Sequence, residues 1–331
     1  MNWCAEAPVA RPRIFLSQPL EAQAQQLLAA WADLVLGTEI APADRLSVLA
    51  ACDGAVTMVS DRLDAAAFET LRASRLKIVA NYAVGYDNLD LPAATAAGIW
   101  LSNTPDVLSQ ATAEMAWALL LSLARRVPEG DQLVRAGQWC GWSPDQLLGH
   151  TISGKTLGLI GAGRIGQCMA ALSQGFGLNI LYFSRQLRPD FEARYQARWL
   201  PLDDLLRQCD LLSLHLPGGD ETHHLLNAER LALLQPHCLL VNTGRGTSID
   251  EAALVTALQQ GRLAGAALDV YEFEPAVSAA LRALPNVVLT PHLGSATHEA
   301  RRAMARCCLN NLQAVWQGLP PPQALNQPLP L

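Results

Sequence analysis

At 331 residues the chain is long enough for two domains with separate cores, because single cores stop growing near ~250–300 residues. Half of the residues are apolar and 16% are charged, which excludes a disordered chain. A net charge of −6 with no Lys/Arg block makes nucleic acid and anionic membranes poor partners.

The first 16 residues hold no continuous apolar run after a basic start, so they do not read as a secretion signal. The longest apolar run, within 111–124, is interrupted by Glu114 and falls short of the ~18 residues a membrane span needs. The eight cysteines (Cys4, Cys52, Cys140, Cys168, Cys209, Cys238, Cys307 and Cys308) form no C-x-x-C and sit mostly in apolar contexts. Reduced, structural thiols and a cytoplasmic location are therefore expected.

In chain order, short β-branched or Leu-rich runs alternate with longer Ala/Leu-rich helical patterns, the signature of α/β units around a parallel sheet. Strands are expected at 13–16, 34–37, 55–59, 77–81 and 100–103. The next stretch, 111–126, is apolar nearly all round and predicts a helix buried between two units. Residues 137–150 read as a loop rich in Trp, Gly and Pro. A second series of strands follows at 156–161, 180–184, 211–217, 238–244, 265–270 and 286–292. Residues 298–317 read as one helix, and a Pro-rich tail without a packing signal ends the chain.

The second series looks like an insertion. The expected fold is α/β: a Rossmann-type doubly wound parallel sheet (104–292) inserted into a flavodoxin-like substrate domain (1–103 plus 293–331). Two crossings between domains make a cleft, a usual place for small ligands.

Gly161-Ala162-Gly163-Arg164-Ile165-Gly166 is a G-x-G-x-x-G between the strand at 157–160 and a helical pattern at 167–175. In that context Gly161 permits a tight turn, Gly163 lets backbone approach a pyrophosphate, and Gly166 allows close helix–strand packing. The free N–H groups of a helix start then favour phosphate charge. An NAD-preferring site carries an acid about 20 residues further on, for the ribose 2′-OH. Here the second strand runs into Ser184-Arg185-Gln186, with Arg188 close by and no acid. A hydroxyl and a guanidinium suit a 2′-phosphate, so NADP(H) is preferred and NAD(H) stays open.

Three later strand ends carry polar residues: 242–246 with Thr243, Gly244 and Arg245; 268–275 with Asp269, Glu272 and Glu274; and 290–295 with His292, Gly294 and Ser295. Ligands of open α/β sheets bind at such carboxyl ends. Reducing a ketone by hydride leaves an alkoxide that needs a proton, and His suits that donation near neutrality. An adjacent carboxylate favours the imidazolium and orients it. An Arg can grip a carboxylate and polarise the neighbouring carbonyl.

With these segments, and with 81–88, 103–107 and 112–114, the chain resembles the D-isomer-specific 2-hydroxyacid dehydrogenase family, in particular its glyoxylate/hydroxypyruvate reductase branch. The resemblance covers nearly the whole chain and implies a homodimer that reduces a small 2-keto acid. It implies Arg245, Glu274 and His292 as the catalytic set; the spacing and Pro275 favour Glu274 over Glu272. Backbone N–H groups at Val84 and Gly85 are expected to hold the substrate carboxylate, and Asp269 to face the nicotinamide carboxamide near Thr243. The further cofactor contacts expected are Thr112, Leu216, Pro217, Thr222, Gly244, Gly294 and Ser295. His215-Leu216-Pro217 passes the adenosine side, and Gly218-Gly219 replaces the family's usual Leu-Thr there.

A Trp near Trp142 reaches, in the reductase branch, into the partner's active site; packing at the dimer interface is the equal alternative, for Trp139 too. His150, His223, His224 and His237 show no partner pattern and read as surface residues, and no cluster has metal-ligand spacing, so no metal is expected.

Several functions compete within the resemblance. Phosphite dehydrogenases carry a Lys where this chain has Val84, and formate dehydrogenases lack the Glu of the triad. Glyoxylate or hydroxypyruvate leads, with 2-ketogluconate or a phenylpyruvate-like acid as alternatives. A non-enzymatic nucleotide-sensing protein on the same scaffold is the alternative from another class.

Overall fold

The computed structural model describes residues 11–328; Cys4 and the first ten residues of the N-terminal stretch read above lie outside them. The chain divides into two compact units, Met1–Leu108 with Thr297–Leu331 and Ser109–Ala296.

The first unit holds five parallel strands: β1 (Arg13–Leu16), β2 (Asp33–Leu36), β3 (Gly54–Thr57), β4 (Ile78–Asn81) and β5 (Trp100–Ser102), in the order β2-β1-β3-β4-β5. This is the flavodoxin-like order. β3 and β4 are buried along their whole length, as strands covered on both faces must be, which is why they read as unbroken apolar runs. The helix His298–Trp316 packs on this sheet, its start capped by the Thr297 hydroxyl, which accepts the Ala300 N–H at 3.1 Å.

The Pro-rich tail is not a loose end. Ala324 makes an antiparallel bridge to Ser102, Leu325 donates its N–H to Leu101 O (2.8 Å), and Asn326 Oδ1 accepts the Leu101 N–H (2.8 Å). The tail thus covers the open edge of β5, whose unpaired backbone groups otherwise invite pairing with another chain. Sequence patterning misses this because an edge cover needs matched backbone groups and no apolar period.

The second unit holds seven parallel strands: β6 (Thr156–Ile160), β7 (Asn179–Phe183), β8 (Arg198–Trp199), β9 (Leu211–Leu214), β10 (Leu239–Asn242), β11 (Gly265–Leu268) and β12 (Val287–Leu289). Their order, β12-β11-β10-β9-β6-β7-β8, is the doubly wound Rossmann arrangement with its reversal between β6 and β9. β8 escapes sequence reading because two residues cannot carry a period. The runs at 211–217, 238–244 and 286–292 stop as strands at Leu214, Asn242 and Leu289, and their last residues form the turns at the sheet's carboxyl edge.

The apolar stretch expected as one helix over 111–126 is the helix Ser109–Ala124, ended by Arg126 in the left-handed region (φ 52°). It packs within the second unit, against the helix Arg164–Ser173 and over β10 and β11. It is not buried all round: Gln110, Glu114 and Ala118 form one exposed i, i+4 stripe. The seven described cysteines are free thiols. Among the described residues, no helix is long and apolar enough to cross a membrane.

Candidate active site at the carboxyl edge of the seven-stranded sheet

Because all seven strands are parallel, every strand-end turn of the second unit lies on one edge. From β12 to β7 that edge covers five interstrand steps, about 24 Å at ~4.8 Å each. Only an elongated ligand touches both ends.

At the centre, Gly161 adopts φ 102°, and a Cβ there would lie 2.4 Å from the His215 carbonyl oxygen. A Cβ on Gly166 would meet the Gly161 oxygen at 2.1 Å, so the helix Arg164–Ser173 starts flush against the turn. A Cβ on Gly163 would meet nothing within 4 Å. Two of the three glycines are thus demanded by the protein's own packing, whereas Gly163 opens onto space at a helix start, where backbone N–H groups favour a phosphate. Arg164 opens that helix, and Ile165 packs into the core below.

Two buried polar atoms near this edge have no partner in the protein: Thr243 Oγ1 and His215 Nδ1. The other ring nitrogen, His215 Nε2, lies 2.8 Å from Ser213 Oγ. Burial pushes the His215 imidazole down to about 4, so it is neutral near pH 7. Orphaned polar atoms beside an open glycine turn fit a bound dinucleotide, since such groups are ordinarily satisfied.

Toward β10–β12 the edge is densely cross-braced. Asn242 Oδ1 accepts the Gly244 N–H (3.0 Å), and its amide donates to Arg245 O (2.9 Å), fixing the turn that presents Arg245. Gly244 lies against the Leu216 backbone, joining two residues expected to touch the cofactor. Gly246 has no room for a side chain: its Cβ would fall 1.9 Å from the Tyr271 carbonyl carbon. This contact locks the Arg245 turn to the segment that carries Glu274.

Asp269, expected to face the carboxamide, is 1% exposed and binds its own chain. Its Oδ1 accepts from Thr290 Oγ1 and the Leu293 N–H, both at 2.6 Å, and its Oδ2 accepts the Gly294 N–H at 2.6 Å. The carboxylate therefore clasps the whole turn 290–294. Thr112 belongs to the same cluster, since a Cβ on Gly294 would lie within 3.4 Å of both Asp269 Oδ2 and Thr112 Cγ2.

His292 sits in that turn with φ 55°, a left-handed conformation that costs a non-glycine residue about 1–3 kcal/mol and persists only where surroundings impose it. Here they do: its N–H donates to Asp269 O at 2.9 Å. Its Nδ1 lies 2.9 Å from Glu274 Oε2, and Glu274 Oε1 accepts the Tyr271 N–H at 3.0 Å. With Nδ1 engaged, Nε2 is the nitrogen left to meet a ligand. Partial burial pushes the Glu274 carboxyl up, but the His292 hydrogen bond and charge, the Tyr271 N–H and the Arg245 charge outweigh it and hold the group below its ordinary value. Glu272 faces elsewhere: it accepts from the Glu251 N–H (3.0 Å) and pairs with His224 (2.7 Å). Glu274, which the spacing and Pro275 favour, is the glutamate that touches His292.

At β7 the edge is loose. Ser184 Oγ donates to Gln186 O (2.5 Å), and Arg185 Nη1 pairs with Glu221 Oε2 at 3.0 Å, with 83% and 78% of the two side chains exposed. Thr222 Oγ1, expected on the cofactor, donates to Pro217 O (2.8 Å) and braces its own loop. Glu221 lies 36 residues from Arg185, beyond the reach of any local sequence pattern. Two histidines read as unpartnered have partners: His224 pairs with Glu272, and His237 Nε2 lies 2.7 Å from Asp210 Oδ1. His223, His224 and Glu272 also offer three ligand atoms within 4.8 Å of one another, a cluster that linear spacing does not reveal.

In the first unit, the turn holding Val84 and Gly85 is pinned through its carbonyls: Asn103 Nδ2 donates to Val84 O (2.8 Å) and Asn81 Nδ2 to Gly85 O (2.9 Å). On the second unit's loop 137–150, Trp142 is 83% exposed and Trp139 is 55% exposed.

A doubly wound parallel sheet with a glycine turn at its reversal and an acid–histidine pair on the same edge defines a dinucleotide-dependent oxidoreductase architecture. Residues 117–294 match the NAD binding domain of the D-isomer specific 2-hydroxyacid dehydrogenases, and the chain belongs to that family. It is 50% identical over 279 residues to a glyoxylate reductase of Thermococcus onnurineus, covering 83% of each chain. With a glyoxylate reductase of Thermococcus litoralis it shares 42% identity over 324 residues, 96% of this chain and 97% of the relative. Among solved structures, an NADPH-dependent glyoxylate/hydroxypyruvate reductase of Sinorhizobium meliloti, in complex with NADP and malonate, is 35% identical. It superposes with a TM-score of 0.84 over 96% of this chain and 97% of that one. The family places a nicotinamide dinucleotide on the second unit.

Proposed function

We propose that the protein reduces glyoxylate to glycolate and hydroxypyruvate to its D-2-hydroxy acid, with NADPH preferred over NADH. The observation that carries this reading is the Glu274–His292 pair, at 2.9 Å, on the same sheet edge as the open turn at Gly163. The names of the relatives at up to 50% identity point to the same substrates.

When bound, the reduced nicotinamide supplies the hydride. Gly161, Gly163 and Gly166 with the helix start at Arg164 and Ile165 would receive the pyrophosphate, and Ser184 and Arg185 the 2′-phosphate. Leu216, Pro217 and Thr222 would line the adenosine side. Thr112, Thr243, Gly244, Asp269, Gly294 and Ser295 would line the nicotinamide end. Asp269 acts there chiefly by holding the 290–294 turn in place. Arg245 binds the substrate carboxylate and polarises its carbonyl. Val84 and Gly85 contribute backbone N–H groups, their carbonyls already engaged. His292 Nε2 donates the proton to the nascent alkoxide, while Glu274, held ionised, orients the ring through Nδ1.

The exposed Trp139 and Trp142 support a homodimer that uses loop 137–150, with Trp142 reaching the partner's substrate. A cytoplasmic location goes with this reading.

The direct test is a panel of 2-keto acids assayed with NADPH and NADH, following nicotinamide absorbance. Glyoxylate and hydroxypyruvate should give the highest kcat/KM, with NADPH ahead of NADH. Failure to turn over any 2-keto acid would overturn the reading.

A further inference from the structure

We propose that His223, His224 and Glu272 form a binding site for a divalent transition-metal ion of the zinc type. The ligand set, two imidazoles and one carboxylate, is among the combinations that zinc accepts, with a further position left for water. All three donor atoms already lie within 4.8 Å of one another. Bond lengths near 2.0–2.2 Å require donors roughly 3.3 Å apart, so closure needs only small side-chain rotations.

The backbone explains why neighbouring histidines converge. In an extended chain, adjacent side chains point to opposite sides. His224 instead adopts φ 46°, a left-handed conformation unfavourable for a non-glycine residue, and this turns its ring onto that of His223. The two rings stack with centroids 4.0 Å apart and planes 24° from parallel. Strain of this kind persists where surroundings impose it, and it marks candidate functional positions. The imposing contacts are the His224 N–H to Thr247 O (2.8 Å) and the Leu226 N–H to Ser248 O (3.0 Å).

The carboxylate is prepared in the same way. Glu272 is a tenth exposed by side chain, and its Oε2 accepts the Glu251 N–H, the outer-shell hydrogen bond that orients a metal-ligating carboxylate. Its Oε1, 2.7 Å from His224 Nε2, is the atom between which and the imidazole an ion would insert. His223 is exposed and supplies the third ligand from the solvent side. Glu272 gives the site a carboxylate, and Asp220 precedes it in the chain. Both features favour a cation.

An ion here would tie the 220–226 loop to the two segments beside it. Thr247 follows Arg245 by two residues, and Glu272 precedes Glu274 by two. None of the three ligands is among the residues assigned to the keto acid or the dinucleotide, and Thr222, assigned to the adenosine side, adjoins His223 in the same loop.

The test uses the full, untagged chain carrying Cys140→Ser, to remove the exposed thiol, stripped by a chelator. Zinc titrated by calorimetry and by thermal shift should bind one ion per chain and raise Tm. His223→Ala should weaken binding at least about tenfold. His224→Asn keeps a residue tolerant of the left-handed backbone and should weaken it as well. Glu272→Gln should do the same, its fold checked by circular dichroism. Absence of saturable binding, or unchanged affinity in His223→Ala and Glu272→Gln, would overturn the proposal.

Discussion

The two ends of the seven-stranded sheet's carboxyl edge are built differently. At β10–β12, Asp269 accepts three hydrogen bonds from the 290–294 turn, Gly246 is locked against Tyr271, and Glu274 bonds both Tyr271 and His292. At β7, Arg185 is held by one ion pair between two largely exposed side chains. Hydrogen bonds to a charged group such as the buried Asp269 carboxylate contribute about 1.5–3 kcal/mol each, whereas an exposed ion pair contributes roughly 0–1 kcal/mol. The end assigned to proton transfer is preorganised, as chemistry requires. The end assigned to cofactor choice is soft, so cofactor preference can be changed with little loss of fold.

The largest expected effect falls on the rigid end. His292→Ala should lower kcat by about 10²–10⁴-fold while NADPH binding, followed by fluorescence titration, stays unchanged. A rate near wild type would remove His292 from the mechanism. Asp269→Asn places a donor where N–H groups already point, and should cost about 3 kcal/mol in urea denaturation. It should also lower kcat by displacing His292, and an unchanged urea midpoint would mean the clasp contributes nothing.

Between the ends, His215 offers a pH test. Its folded value, about 4, lies below its ordinary 6.5, so the unfolded chain binds the extra proton first as pH falls. Its contribution is complete above pH 6.5 and is lost progressively down to about 4, by as much as about 3 kcal/mol. Stability of the cofactor-free protein measured from pH 7 to 4.5 should show this slope, and His215→Gln should flatten it.

On the soft end, Arg185→Asp should cut the NADPH-over-NADH ratio of kcat/KM by about tenfold or more, with stability within ~0.5 kcal/mol of wild type. No change in that ratio would mean that another group reads the 2′-phosphate. The smallest effect is expected for Glu221→Gln. It frees Arg185 of a competing carboxylate and should raise the ratio by less than about fivefold. A fall instead would mean that Glu221 positions Arg185.

How much was legible in the sequence follows the same division. The G-x-G-x-x-G turn and the strand-end positions of Arg245, Glu274 and His292 could be read because each is a local turn after an apolar strand. The chemistry there depends on residue type at the end of a short run. Asp269's clasp could not be read, since its partners lie 21 to 25 residues on and two of them are backbone N–H groups. Nor could Glu221 opposite Arg185 or Glu272 opposite His224, 36 and 48 residues apart. The tail's cover of β5 joins residues more than 220 positions apart.

By itself the sequence determined the two α/β units, the glycine turn and the spacing of the residues assigned to proton transfer, because hydrophobic period and strand-end chemistry are local properties. Only the tertiary structure decided what Glu272 binds instead of His292, what holds His292 in its left-handed turn, and what answers Arg185. Those outcomes depend on which strands become neighbours. Strand order in a parallel sheet is set by crossovers that bring distant residues to one edge, a relation that no window of the sequence contains.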